Sequence, residues 1–328
     1  MTEIITRYLE DAIAAEKSFE SQLRDFAKEA TIPTVQNMFN THAEETRKQY
    51  ELLTSRLQAL GKRPSGIKSF LAHVFNLSPK TAQIGHDPSE RTVQDLIMAF
   101  SVENAEVAMY ESLIAACEAA ADDETARIAR QIQSQERETA DKAWSEIAPA
   151  ASKAFASVGM KGSTQPKDAV LRYLQDAEAA EQNFENALAS FSKTGDQKDV
   201  QRLMSMMSQK ARTQHERLEK RIKSLGGSRS VAKSMLAHMI AFSPVNAQMG
   251  HEPAEKNTQH LMFTYAAAAA EMGMYEALAV AAEAAGDQET AMLARQLQKE
   301  EKEDHMLAWK RLSQSARDAF HEVTAKSK

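Results

Sequence analysis

Along RYLEDAIAAEKSFE, residues 7–20, apolar side chains recur at Tyr8, Ala12, Ala15 and Phe19. That interval of three or four positions is the spacing of an amphipathic helix and not of a strand. The pattern runs on until a breaker stops it. Read this way, the first half of the chain predicts a helix from about Glu3 to Glu29, stopping near Ile32-Pro33, and a second from about Pro33 to Leu60, with Gly61 as its C-terminal cap. A connection of roughly thirty residues follows, too long for a bare loop. Within it SGIKSFLAHVF, 65–75, predicts a short helix. A third long helix is expected from Asp87-Pro88 to about Ala121, and a fourth from Asp123 to about Ile147. Two tight hairpins joined by one long crossover make a four-helix bundle of crossover type, distinct from a simple up-down bundle.

The same pattern is then written a second time. RYLEDAIAAEKSFE (7–20) matches RYLQDAEAAEQNFE (172–185), KSFLAHVFNLSPKTAQIGHDP (68–88) matches KSMLAHMIAFSPVNAQMGHEP (233–253), and AMYESLIAACEAAADDETARIARQIQ (108–133) matches GMYEALAVAAEAAGDQETAMLARQLQ (273–298). The offset is 165 throughout, without a gap, as far as Phe155 and Phe320. A period this long in two copies is a duplicated domain and not a solenoid. The expected division is copy one at 1–156, a Gly-, Ser- and Pro-bearing linker at 157–168, and copy two at 169–328, with Gly226, Pro253 and Gly286 as punctuation.

Composition narrows the class. Apolar residues are 43% and charged residues 26% of 328, as in a soluble globular chain. A net charge of −6 gives a nucleic-acid partner no electrostatic support. The N-terminus resembles neither a signal peptide nor a membrane span. The one cysteine, Cys117, fits a reducing cytoplasm and reads as a small buried apolar residue.

At 1.5 Å per residue, Glu16 and Glu45 lie about 21–23 Å from the turn near Ile32, while Glu106 and Glu136 lie roughly 20–25 Å from the turn near Asp122. Each helix thus brings a carboxylate to its middle. His42 stands one turn from Glu45, and Glu103 one turn from Glu106. For any one glutamate, plain solvation is the ordinary reading. Four at one depth on four helices point to a metal site, because packed carboxylates repel and a cation relieves them. Carboxylate oxygens and an imidazole suit iron or manganese.

YLEDAIAAEKSFESQL, HAEETRKQYELLTSRLQALG and ENAEVAMYESL resemble the ferritin-like YciE/YciF family of bacterial stress-associated proteins, over nearly all of each copy. The resemblance implies an all-α chain of two tandem ferritin-like four-helix bundles, a tendency to dimerise, and a di-iron-type centre. Carried onto this sequence, that centre comprises Glu16, His42, Glu45, Glu106 and Glu136, with Glu103 as a further ligand. It departs from the ferritin-like pattern of E-x-x-H on helices two and four: helix two reads H-x-x-E, and Thr139 follows Glu136 by three.

Copy two keeps Glu181, Glu271 and Glu301 and adds Asp304 beside His305, but Met207, Lys210 and Ala268 replace His42, Glu45 and Glu103. The expectation is an ion-paired, metal-poor copy in which Lys210 neutralises Glu181 and Glu271, beside a copy one that retains an iron or manganese centre with oxidase or peroxide-consuming activity. The two copies are expected to pack as an internal pseudo-dimer. The rival is a non-catalytic scaffold with relic carboxylates. Tyr110 and Tyr275 read either as core or as hydrogen-bond donors to a ligand. His86 and His251, in A-Q-x-G-H-[DE]-P, read either as ligands or proton carriers, or as parts of a helix N-terminus, with the second favoured.

Overall fold

The computed structural model describes residues 3–63, 86–160, 165–228 and 251–326. Copy one contains α1 (Glu3–Glu29), α2 (Pro33–Ala59), α3 (Pro88–Ala119) and α4 (Asp123–Met160). Copy two contains α5 (Pro166–Phe191), α6 (Lys198–Ser224), α7 (Lys256–Ala284) and α8 (Gln288–Lys326), with a 3-10 turn at Pro253–Glu255 before α7. No strand occurs among the described residues. The short helix expected at 65–75, with His73 and His238, lies outside them.

The last helix of each copy overruns its expected end: α4 does not stop near Ile147 but continues through Pro149 to Met160, and α8 passes the equivalent Leu312 to reach Lys326. Proline removes one hydrogen bond from the helical ladder, yet beyond it Ala150, Ala151, Ala154 and Val158 are all buried, and this packing carries the helix on. Helix therefore occupies the first residues of the expected linker, and Pro166 opens α5 from its N-terminal position.

Side chains at the bundle ends establish the connectivity. The α1–α2 turn meets the start of α3, where the Thr31 amide donates to Thr92 Oγ1 at 3.0 Å. The last turn of α2 meets the α3–α4 turn, where Arg56 binds Asp122 at 2.7 Å and Thr125 at 2.8 Å. α2 and α3 therefore run parallel. Copy two repeats this with Arg221, Asp287 and Thr290.

The copies pack through α3 and α7. No position from Thr92 to Tyr110 of α3 is exposed on any side, as befits a helix covered all round. One side faces α1 and α4; the other faces α7 and α8. The contacts across this junction come in reciprocal pairs. Arg7 bonds Glu255 at 2.7 Å, and Arg172, its counterpart, bonds Glu90 at 2.9 Å. His251 Nε2 lies 2.8 Å from Asp11, and His86 Nε2 lies 3.4 Å from Asp176. Ser101 Oγ donates to the carbonyl of Ala266, its own equivalent 165 positions on. Such reciprocity is the mark of a two-fold, isologous interface, and the halves do pack as a pseudo-dimer. It also explains why the G-H-[DE]-P segment persists in both copies. Asp87 and Glu90 form a capping box at the head of α3, while His86 and Glu90 reach across to the other copy.

Candidate metal centres

The amphipathic faces of α1, α2, α3 and α4 turn Glu16, His42, Glu103, Glu106 and Glu136 inward, each at most 3% exposed. Ligand atoms of His42, Glu103 and Glu136 lie within 4.8 Å of one another. His42 Nδ1 approaches Glu103 Oε1 at 3.0 Å, and Nε2 approaches Glu136 Oε2 at 3.8 Å, neither with the alignment of a hydrogen bond. Glu16 and Glu106 press on the same nest. Glu45 is different: it is only half-buried, at the rim, where its charge is felt by Glu103.

Both oxygens of Glu103 and of Glu106, one oxygen each of Glu16 and Glu136, and His42 Nε2 are buried without a hydrogen-bond partner. Among the described residues no lysine or arginine pairs with any of them. Burial pushes Glu16, Glu103 and Glu106 well above the usual carboxylate range, and the negative neighbours add to it. For Glu16 the main neighbour is Glu136, opposed by Tyr110 and His42; for Glu103 it is again Glu136; for Glu106 it is Glu16, then Glu136 and Glu103. An ion buried without compensation costs several kcal/mol in practice. At neutral pH the nest must therefore hold protons or a cation.

Two polar side chains steady the carboxyls. The Tyr110 hydroxyl, fully buried, donates to Glu16, and Gln49 donates to Glu136. The tyrosine is thus core and donor together. The glutamine was missed as a site residue, although it recurs as Gln214 and sits seven residues after His42, on the same helix face. Thr139 turns its hydroxyl back to the Gln135 carbonyl at 3.1 Å and offers the nest nothing.

In copy two the ligand atoms of Glu181, Glu271 and Glu301 again lie within 4.8 Å of one another, held by Tyr275 and by Gln214, the latter at 2.6 Å from Glu301. Met207 and Ala268 fill the other positions with apolar bulk. Lys210 does not do what the sequence suggested. Its ammonium binds Asp304 at 3.0 Å and the Glu300 carbonyl at 2.6 Å, and it forms no ion pair with Glu181 or Glu271. The side chain is 27% exposed, and its charge lies toward the rim, as long cationic side chains prefer. Asp304 is thereby used up as its partner. Both oxygens of Glu271 and one each of Glu181 and Glu301 remain unpartnered. Burial, then Asp304, pushes Glu301 up to about 7. His305 does not join that group of ligand atoms: its ring stacks on Tyr265, Nδ1 donates to the Tyr265 carbonyl at 2.9 Å, and burial lowers it to about 4.

The fold and these nests define a tandem all-α protein whose two bundles each bury a cluster of carboxyls at mid-height. The chain belongs to the family described as domain of unknown function DUF892, matched twice, over residues 1–157 and 165–318. A crystal structure of a protein from Xanthomonas campestris pv. campestris is similar at 26% identity, covering 48% of this chain and 97% of its own, with a TM-score of 0.41. No curated protein matches.

Proposed function

We propose that copy one is a ferritin-like bundle holding iron or manganese, in a stress-associated protein of the kind the YciE/YciF resemblance implies. One observation carries the reading: an imidazole and four carboxyls converge in the buried interior, with side-chain atoms of each lacking a hydrogen-bond partner. The donor set fits, since mixed nitrogen and carboxylate oxygen suit iron and manganese. A bound pair of such ions supplies one-electron chemistry toward oxygen or peroxide. The chain contributes the cradle. Glu103, Glu106, Glu136, Glu16 and His42 are the ligands, and Glu45 closes the set from the rim. Tyr110 and Gln49 fix the carboxyls they bond. Phe19 packs edge-on to His42 at 5.5 Å and keeps water from that side.

The test is elemental analysis after loading with iron(II) or manganese(II) and desalting. The intact chain is expected to retain metal, and Glu103→Gln with Glu136→Gln to retain at least about tenfold less. A desalted wild-type chain without metal would end this reading. The Lys210–Asp304 pair, which consumes one carboxylate without any metal, favours the second reading, a scaffold with relic carboxylates; that reading expects no uptake in either copy.

A further inference from the structure

On one side of the junction, α3 and α4 of copy one and α7 and α8 of copy two enclose a cleft of about 360 Å3, a size ordinary for small-molecule sites. Its floor is the Phe100–Trp144 pair, ring centroids 5.1 Å apart. Arg295, Lys299 and Lys302 stand around it, against the single carboxylate of Asp141. Arg295 is already paired with Glu276 and Glu283. Lys299 and Lys302 form no ion pair among the described residues.

The repeat makes a second corner across the pseudo-two-fold axis, where Tyr265 and Trp309 stand for Phe100 and Trp144. That corner is filled by the chain itself. The His305 ring stacks on Tyr265 at 3.6 Å, and the Arg137 guanidinium lies 4.6 Å over Trp309. At the open corner the matching residues are Ala140 and Lys302. A methyl replaces the imidazole, and a flexible ammonium replaces the planar guanidinium. Two flat groups are missing from an aromatic floor that elsewhere in the same molecule is covered by them.

The geometry points to a binding site at this open corner for a small planar ring bearing an anionic group, the chemistry shared by nucleoside monophosphates and aromatic carboxylates. The ring takes the stacking position that His305 and Arg137 occupy opposite. The anion meets Lys299 and Lys302, whose two unpaired charges outnumber the single carboxylate of Asp141 and disfavour a cationic ring. None of these residues is a proposed metal ligand, so the site stands apart from the metal reading.

The chain has two tryptophans, so Trp309→Phe leaves Trp144 as the sole reporter. Adenosine monophosphate and benzoate, titrated separately to millimolar concentration, are expected to quench Trp144 saturably with at least one of them. Which one quenches distinguishes nucleotide from simple aromatic acid. The exposed pair Lys299→Glu and Lys302→Glu should weaken binding at least about tenfold. Ala140→His with Lys302→Arg should fill the corner and abolish binding; if that chain does not fold by circular dichroism, the charge-reversed pair decides. Saturation by neither probe, or an affinity within about twofold after charge reversal, overturns the proposal.

Discussion

At the scale of single residues, the buried carboxyls govern how the protein answers pH. Folding raises Glu301 to about 7, so the folded chain holds that proton more tightly than the unfolded chain does. The resulting stability is complete below the ordinary glutamate range and is lost as pH climbs through about 7. The metal-free protein should therefore withstand more urea at pH 5 than at pH 8, and Glu301→Gln should recover on the order of 3 kcal/mol at pH 8. Urea melts at the two pH values read this out; equal midpoints for the parent chain would contradict it. Which residues gather here was largely legible, because depth along a helix is arithmetic. Their exact company was not. Spacing placed Lys210 beside the carboxylates, but a four-carbon stem can turn its charge to the rim, and no periodicity records that choice. Glu45 sits at the rim for a related reason: its helix face is shared between nest and solvent. Cys117, read as a small apolar residue, is buried, and burial pushes its thiol up to about 12.

At the scale of elements, helix starts and stops followed from Pro, Gly and cap residues, except at the last helix of each copy, where α4 overran Pro149 and α8 ran on past Leu312. Local breakers are weighed against packing, and packing is a property of partners the local sequence does not name. The hairpin turns contain one strained position. Ala121 adopts φ 57°, where copy two has Gly286 at φ 73°. A left-handed backbone costs an L-residue with a Cβ about 1 kcal/mol. Ala121→Gly should stabilise the chain by about that amount and Gly286→Ala should destabilise it similarly, as thermal melts of the two variants would report. The same turn is latched by Arg56 on Asp122, and Arg221 on Asp287 does so in copy two.

At the scale of the whole molecule, the duplication was plain in the sequence, whereas the pairing of Arg7 with Glu255 was not, because the partners lie in different copies. Glu255 is fully buried, and Arg7→Ala would strand its charge. A loss of about 3–5 kcal/mol is expected, with Arg172→Ala nearly as damaging through Glu90; denaturant melts in which both variants match the parent would exclude it. Arg7, Asp11, His86 and Glu90 all belong to copy one. Residues 1–160 alone therefore carry both halves of each reciprocal contact and should form a homodimer, measurable by light scattering. A stable monomer would contradict the interface assignment.

The covalent link between the copies has a further consequence. In an assembly of two identical chains, any substitution appears at both symmetry-related places, so both corners are filled or both stay open. Here His305 closes one corner while Ala140 leaves the other vacant, and a histidine lines one nest while a methionine lines its mate. Joining the copies in one polypeptide releases each position from its twin, and the molecule can keep a symmetrical frame while its two faces specialise apart.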